Sequence, residues 1–343
     1  MRDEPEARRE HRVLVADLGG TFVRFALARD GALIGEPGRL ERGAFPDFAA
    51  ACRQWLGDHA QGLHIDGAAV AAAGRVDRGR IEMTNADWSI DPSALAVELG
   101  LREQRVTVLN DFAALAWAVP ALGVDELIAV PGGAARREGR PIPARVAGHR
   151  AVVGPGTGLG VAALVRTSEG WQPIASEGGH AGCSPTTPLE RDAEALAVGR
   201  YGRASWERLL SGAGLALLHE AACAQAGRTP DGADAPAVLR ACAAGDPCAT
   251  RAANAFLELL GGFAGDLALL FDASGGVVIA GGIVPRIAEM MPLDAMRMRF
   301  EAKGRFSTWL EQVALDRLAA PYAALRGAAL AYCAATPLAP AAP

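Results

Sequence analysis

The chain has 343 residues, half of them apolar, and a formal net charge of −5. This length exceeds what one hydrophobic core ordinarily organises, so we expect two domains. The negative charge gives no support to a nucleic-acid surface, and no apolar run approaches the length of a membrane span. Nucleic acid and membrane are therefore not expected among the partners.

The cysteines, the N-terminal residues and the single lysine narrow the class of protein further. The 6 cysteines are scattered without a CxxC pair, which indicates reduced thiols in a cytoplasmic protein without a structural metal. Residues 1–11 are rich in charge and lack an apolar segment, which predicts a disordered tail and not a signal peptide. Lys303 is the only lysine, and Gly304 follows it. A Walker A loop and the ATP-pairing lysine of protein kinases are both excluded, so phosphate chemistry would rely on amides, magnesium, arginine and hydroxyls.

The first ordered segment predicts a β-hairpin. An apolar strand from Val13 ends at Asp17, and the turn Gly19-Gly20-Thr21 leads into a second apolar strand. The turn offers free amides and the Thr21 hydroxyl, and its glycines let a polyanion approach the backbone. Asp17 projects from the strand end, where it is placed to hold magnesium through water.

The next segments predict a third strand at residues 32–40, a helix at 45–56 and a strand at 66–73. A loop at 74–88 and a helix at 93–99 follow. The loop contains Asn85 and Trp88, which could present an amide and a ring edge to a polyhydroxylated ligand. The alternative is a surface loop in which Trp88 is anchored in the core.

The strand at residues 106–109 ends in Asn110 and Asp111, and a helix over residues 112–119 follows. Open α/β sheets bind ligands at the carboxyl ends of their strands, so both polar residues are candidates for a site. Asp111 is interpreted either as the cap of this helix or as a catalytic carboxylate.

A second glycine hairpin is predicted over residues 151–165, with Gly156, Thr157 and Gly158 in its turn. A strand follows the GxGxGxG spacing, whereas a dinucleotide fingerprint opens a helix, so we reject a Rossmann NAD site. We interpret this hairpin as a structural repeat of the first.

Three further features follow the second hairpin. A strand at residues 171–175 precedes Glu177 and His180, which flank two glycines and could both point at one ligand. The alternative is that His180 is an ordinary loop histidine and Glu177 a solvated charge. Glu207 lies in a helical segment and by itself looks like an ordinary helix carboxylate. Gly281 and Gly282 follow a strand and either form a tight strand-to-helix turn or let a flat ring such as adenine lie against the backbone. Helices are predicted at residues 189–200, 205–210, 214–226, 235–243, 247–271 and 322–333.

In this order the features resemble the actin-like ATPase fold of sugar kinases, and more closely the bacterial glucokinase family. The resemblance extends from about residue 12 to about residue 333. The motifs that carry it lie at residues 16–24, 84–88, 110–112, 154–160, 177–180, 207–212, 280–286 and 300–306.

The resemblance implies an α/β protein with the two-domain actin-like ATPase (RNase H-like) fold and a cleft between a small and a large domain. The small domain would comprise residues 12–109, completed by a C-terminal helix at 320–335, and the large domain residues 110–319. The implied reaction is transfer of a phosphoryl group from ATP to the 6-hydroxyl of glucose, with Mg²⁺ as cofactor. The family also suggests a homodimer.

The resemblance further implies a role for each candidate residue. Asp111 would be the base that accepts the proton of the sugar 6-hydroxyl, and Asp17 would hold magnesium. The sugar hydroxyls would be held by Asn85, Asn110, Glu177, His180 and Glu207. The ATP phosphates would lie on Gly19, Gly20, Thr21, Gly156, Thr157 and Gly158, and the adenosine on Gly281 and Gly282.

The chain departs from the family pattern at Phe22, where a polar residue is usual, at Ala86-Asp87, and directly after His180, where Ala181 and Gly182 stand. The small pair leaves room for a 2-acetamido sugar, so a kinase for N-acetylglucosamine is the alternative to a glucose kinase. A sugar-sensing regulator and a chaperone-type ATPase on the same fold are two further candidates. Retention of Glu177, His180 and Glu207 favours glucose, because such a site rejects a sugar that cannot pair with it.

Overall fold

The computed structural model describes residues 11–83, 88–132, 147–230 and 232–336. The chain divides into two compact units. The first comprises the residues up to Leu122 together with those from Pro321 onward, and the second is Gly123–Ala320.

The first unit contains a five-stranded sheet in the order β3-β2-β1-β4-β8 and a small three-stranded sheet in the order β5-β6-β7. Its strands are β1 Val13–Leu18, β2 Phe22–Arg29, β3 Ala32–Glu41, β4 Gly67–Ala72, β5 Val76–Asp77, β6 Arg80–Glu82, β7 Ser89–Ile90 and β8 Val106–Asn110. Its helices are α1 Phe48–His59, α2 Pro92–Leu99, α3 Asp111–Ala118 and, at the end of the chain, α12 Ala323–Ala335.

The large sheet of the first unit is buried on both faces, because successive side chains of a strand point to opposite faces. Leu14, Ala16 and Leu18 of β1 belong to the core that includes α1. Val13 and Val15 belong to the core that includes α3 and α12. Asp17 alternates in the same way as Val13 and Val15, so it lies on the sheet face that α3 and α12 cover.

The second unit contains a six-stranded sheet in the order β12-β11-β10-β13-β14-β9. Its strands are β9 Leu127–Ala129, β10 Arg150–Pro155, β11 Leu159–Thr167, β12 Gly170–Ser176, β13 Val277–Ile279 and β14 Leu315–Leu318. Its helices are α4 Pro188–Tyr201, α5 Trp206–Leu209, α6 Gly212–Gln225, α7 Ala235–Ala243, α8 Pro247–Leu270, α9 Ile283–Ala288, α10 Asp294–Glu301 and α11 Ser307–Leu310. Short 3₁₀ turns occur at Arg42–Ala44, Glu103–Arg105, Val119–Ala121, Gly178–His180 and Gly304–Phe306.

The two sheets repeat one design. In each, three consecutive strands form an antiparallel meander, and the opening strand of the meander also pairs in parallel with a later strand, β4 in the first unit and β13 in the second. The prediction that the second glycine hairpin repeats the first is therefore confirmed.

Three features differ from the sequence prediction. The sequence predicts a turn and a loop over residues 74–88, but β5 and β6 lie within this range and β7 directly follows it. The sequence does not reveal these strands, because two or three residues are too few to show a recognisable alternation of apolar and polar side chains. Helix α1 begins at Phe48 and not at residue 45, because Asp47 accepts a hydrogen bond from the amide of Ala50 at 2.7 Å. The sequence patterns did not indicate α10, α11 or β14.

The division between the units also differs from the predicted boundary after residue 109. Helix α3 belongs to the first unit, where it packs closely on α12. A Cβ at Gly327 of α12 would lie 1.7 Å from the carbonyl oxygen of Ala114 in α3. Such a close backbone approach requires glycine, and it attaches α3 to the first unit.

Helix α8 is long and apolar enough to cross a membrane by length and composition alone. However, 72% of its most apolar window is buried inside the second unit, as expected for a core helix.

Candidate functional site

Asp17 and Asp111 lie at the same end of the large sheet in the first unit. The strands β1, β4 and β8 are parallel, and Asp17 aligns with Ala71 of β4, which aligns with Leu109 of β8. Asp111 follows β8 and opens α3, on the face that Asp17 also occupies. Two strand spacings, roughly 10 Å, separate β1 from β8. The carboxylates of Asp17 and Asp111 therefore lie two strands apart at the same end of the sheet.

Asp17 is paired with an arginine that the sequence prediction did not assign. Arg24 stands directly opposite Asp17 on β2, and its Nη1 donates to Asp17 Oδ2 at 3.0 Å. Burial raises the pKa of the Asp17 carboxyl, and the charge and hydrogen bond of Arg24 oppose that rise. Arg24 thus favours the ionised form that a cation would need.

The first glycine turn is short and open. The amide of Gly19 donates to the carbonyl of Phe22 at 3.0 Å, which closes the hairpin. A Cβ added at Gly20 would meet nothing within 4 Å. The tip of the hairpin at residues 19–21 is therefore accessible to a ligand.

Asn110, and not Asp111, caps helix α3. The Asn110 side-chain oxygen accepts hydrogen bonds from the amides of Phe112 and Ala113 at 2.9 and 3.2 Å, and its Nδ2 donates to the carbonyl of Gly74 at 3.0 Å. Asp111 is the first helical residue, and its Oδ1 accepts from the amide of Phe112 at 2.9 Å. The cap interpretation of Asp111 is wrong, because the preceding Asn110 occupies that position. Asn85 lies outside the described residues.

The second glycine turn is fixed by close packing in the second unit. A Cβ at Gly281, whose φ is +85°, would lie 2.2 Å from the carbonyl oxygen of Pro155. Gly281 must therefore be glycine, and it lies against the start of the turn. The amide of Gly212, which opens α6, donates to the carbonyl of Gly156 at 2.9 Å. A helix amino terminus beside the turn favours an anion there.

Glu177 precedes a 3₁₀ turn that ends at His180, and Gly179 within this turn must be glycine. A Cβ at Gly179 would lie 2.3 Å from the carbonyl oxygen of Leu159 on β11. This contact holds the turn against the sheet while the two polar side chains project outward, each 57% exposed. His180 Nε2 lies 3.9 Å from Glu177 Oε2, too far for a direct hydrogen bond.

Glu207 joins this group to the second glycine turn. Its Oε2 accepts from the amide of Leu159 at 3.0 Å, and its Oε1 lies 3.9 Å from His180 Nδ1. The backbone supports the arrangement, because the amide of Trp206 donates to the carbonyl of Ala181 at 3.0 Å. The structure thus brings Glu177, His180 and Glu207 together, and it places Glu207 beside Gly158. No sequence pattern indicates the contact with Leu159.

A cavity of about 1100 Å³ lies elsewhere in the second unit, between α8 and α10, and its lining includes Asn254, Glu258 and Met298. None of the predicted site residues lines it.

Comparison with known proteins identifies the family. The family model for glucokinase matches residues 14–335. A glucokinase from Aromatoleum aromaticum is 40% identical over 333 residues, which covers 93% of each chain. The chain belongs to the glucokinase family. The solved glucokinase from an Antarctic psychrotroph has 31% identity and a TM-score of 0.80, covering 93% of this chain and 98% of its own.

A more distant structure agrees on the fold. A ROK-family glucokinase from Streptomyces griseus, solved in complex with glucose and AMPPNP, has 21% identity and a TM-score of 0.60, covering 93% of this chain and 98% of its own. The predictions of the glucokinase family and of the actin-like ATPase fold are confirmed.

Oxygen donors are the ligands that Mg²⁺ prefers. Among the described residues, no group of three or more His, Cys, Asp or Glu side chains could hold a metal ion by itself. Magnesium needs only one or two protein carboxylates when water and phosphate complete its shell. Asp17 fits that requirement, because Arg24 contacts its Oδ2 and no hydrogen bond to Oδ1 is made by the described residues.

Proposed function

We propose that the chain transfers the terminal phosphoryl group of ATP to the 6-hydroxyl of glucose, giving glucose 6-phosphate and ADP. The observation that carries the proposal is the group formed by Glu177, His180 and Glu207, which the fold assembles from separate segments beside a glycine turn. The family relationship and the relative solved with glucose and AMPPNP support the choice of both substrates.

In this reaction Asp111 acts as the general base. It accepts the proton of the 6-hydroxyl while the oxygen forms its bond to phosphorus and the bond from phosphorus to the ADP oxygen breaks. A positioned base contributes typically about 10²–10⁴ in rate. Asp111 lies at a strand end and in the first turn of a helix, so its backbone is fixed. A fixed backbone suits a general base, which must be held within reach of the reacting hydroxyl.

The sugar hydroxyls are held by Glu177, His180 and Glu207, together with Asn85 and Asn110. Hydroxyls both donate and accept, so a mixture of carboxylate, imidazole and amide groups can satisfy them. Asn110 already uses its oxygen and one amide hydrogen within the first unit. Its second amide hydrogen has no acceptor among the described residues, so we propose that Asn110 donates it to the sugar.

The phosphates of ATP lie on the turns at residues 19–21 and 156–158, and the adenosine lies against Gly281 and Gly282. A Cβ at Gly156 or at Gly282 would meet nothing within 4 Å, so these backbone stretches are open to a ligand. Asp17 would hold Mg²⁺, which when bound neutralises part of the phosphate charge. Each of these assignments is part of the proposal.

A kinase for N-acetylglucosamine is the second candidate. One observation favours it, since a Cβ at Gly182, two residues after His180, would meet nothing within 4 Å. The open space there could accept a 2-acetamido group. We nevertheless place glucose first, because all three polar residues that would hold a free sugar hydroxyl are present and assembled.

A product assay with ATP, magnesium and a panel of sugars tests the proposal. We expect glucose 6-phosphate as the main product and a higher kcat/KM for glucose than for N-acetylglucosamine. A preference for N-acetylglucosamine of about tenfold, which is about 1.4 kcal/mol, would replace glucose by the second candidate. Absence of transfer to any sugar would leave the sugar-sensing regulator as the better interpretation.

We also propose a cytoplasmic location and a homodimer. All 6 cysteines are free in the structure, which suits a reducing compartment. The dimer rests on the family alone, and sedimentation of the purified protein tests it.

A further inference from the structure

Arg42 connects the first glycine turn with the core of the first unit. Its backbone amide donates to the carbonyl of Thr21 at 2.9 Å, and its side-chain Nε donates to the carbonyl of Gly20 at 2.8 Å. The guanidinium also lies 5.8 Å from the ring centroid of Trp88. Trp88 is only 7% exposed, so it provides a fixed support for the arginine.

This arrangement fixes the Arg42 side chain and leaves its charge available. A guanidinium has five N–H groups in a planar fork, and the bond to Gly20 uses only the one at Nε. Among the described residues, no acceptor is found for the two terminal NH₂ groups of Arg42. The amides of Gly20 and Thr21 likewise have no acceptor in the described part of the chain. Several donors that have no acceptor among the described residues therefore surround one open turn.

The neighbouring cations are already engaged. Arg24 is bonded to Asp17. Arg39 lies with its guanidinium 4.2 Å from the ring centroid of Phe22. The only lysine, Lys303, belongs to the second unit and is paired there with Asp266. Compared with Arg24 and Arg39, Arg42 has neither a carboxylate partner nor a closely stacked ring in the described part of the chain.

We propose that Arg42 is a phosphate-binding residue for the kinase reaction, with its terminal NH₂ groups on the terminal phosphate of the nucleotide at the turn of residues 19–21. This inference rests on the proposed placement of ATP on that turn. Planar guanidinium groups make paired, charge-assisted hydrogen bonds to phosphate oxygens. Arginine supplied to a transferring phosphoryl group stabilises the charge that develops there. The role explains how a chain without a lysine near this turn can neutralise the phosphate.

The test separates phosphate binding from a merely structural tether. Arg42→Gln is the informative variant, because the Nε2 of glutamine takes the place of the arginine Nε and can still donate to Gly20. It removes only the charge and the terminal groups. Arg39→Ala is the matched control, since it removes an exposed arginine from the same strand end. The measurements are calorimetric affinities for AMPPNP with magnesium and for AMP, together with the melting temperature.

We expect Arg42→Gln to weaken AMPPNP binding by about tenfold or more, the loss of a hydrogen bond to a charged group, while AMP binding and melting temperature stay as in the wild type. Arg39→Ala should change neither affinity. An Arg42→Gln protein that binds AMPPNP as tightly as the wild type overturns the inference, as does an equal loss for AMPPNP and AMP.

Gly20→Val distinguishes failure of this inference from failure of the proposed nucleotide position. A Cβ at Gly20 meets nothing within 4 Å, so we expect the valine side chain to obstruct a ligand and not the fold. If Gly20→Val binds AMPPNP like the wild type, the nucleotide does not lie on this turn and both proposals fail. If Gly20→Val loses affinity and Arg42→Gln does not, only the role of Arg42 is wrong.

Discussion

Gly158→Ala is the most informative small change in the second unit. The added Cβ would lie 2.6 Å from Oε2 of Glu207 and 3.4 Å from its Cδ. Because Oε2 is the far end of a flexible side chain, Glu207 can move aside at little cost to the fold. Moving it breaks its 3.0 Å bond with the amide of Leu159 and shifts Oε1 relative to His180.

The magnitude follows from the bond that Glu207 would make to a sugar hydroxyl. A hydrogen bond to a charged group is worth about 1.5–3 kcal/mol, and about 1.4 kcal/mol corresponds to a factor of ten. We expect kcat/KM for glucose to fall between about tenfold and about a hundredfold, whereas loss of the bond to Leu159 should lower the melting temperature by only a few degrees. A coupled assay of ADP formation at varied glucose gives the kinetic value.

A double-mutant cycle with Glu207→Ala shows whether the effect passes through Glu207. If the effect passes through Glu207 alone, Gly158→Ala adds no further loss in the Glu207→Ala background, whereas a further loss shows that the added Cβ also meets the phosphates proposed for this turn. Gly182→Ala is the control, since its Cβ meets nothing within 4 Å, and kcat/KM for glucose should be unchanged. A Gly158→Ala protein with wild-type kcat/KM would refute the proposed use of Glu207.

Two further predictions concern stability and reactivity. Asp246 caps α8, and the amide of Ala249 and then the side chain of Arg228 lower the pKa of its carboxyl. The contribution of ionised Asp246 to the free energy of unfolding is therefore fully present above the ordinary pKa of aspartate. It is lost as the pH falls through the lowered pKa of the folded state. Asp246→Ala should cost about 1 kcal/mol in urea unfolding at neutral pH and less in strong acid, and an equal cost at both pH values would contradict this. Burial, followed by the charge of Glu194, raises the pKa of the Cys183 thiol to about 11. Iodoacetamide should therefore modify Cys183 slowly at pH 8 and faster toward pH 11, and fast modification at pH 8 would be the contrary result.

The elements that the sequence predicted well are those with strong local signals. Both glycine hairpins and the helix 235–243 were predicted within a residue or two, because apolar periodicity and turn glycines act locally. The three short strands β5, β6 and β7 were missed, because strands of two or three residues are held by their neighbours and not by their own pattern.

The candidate site was predictable in its residue types and not in its connections. Glu207 looked like an ordinary helix carboxylate, and only the fold reveals its bond to Leu159, 48 residues away in sequence. The engagement of Asn110 with Gly74 and of Arg42 with Gly20 likewise depends on segments that the chain brings together. Side-chain contacts between distant segments leave no periodic pattern in a sequence.

The measurement that tests the central proposal most directly is kcat of Asp111→Asn. Asparagine keeps a side-chain oxygen to accept from the amide of Phe112, so the start of α3 is preserved while the base is lost. We predict that kcat falls by about 10²–10⁴ while the dissociation constant for glucose changes little. If the variant retains more than about a tenth of the wild-type kcat, a smaller loss than a general base normally causes, Asp111 is not the base and the proposed mechanism is wrong.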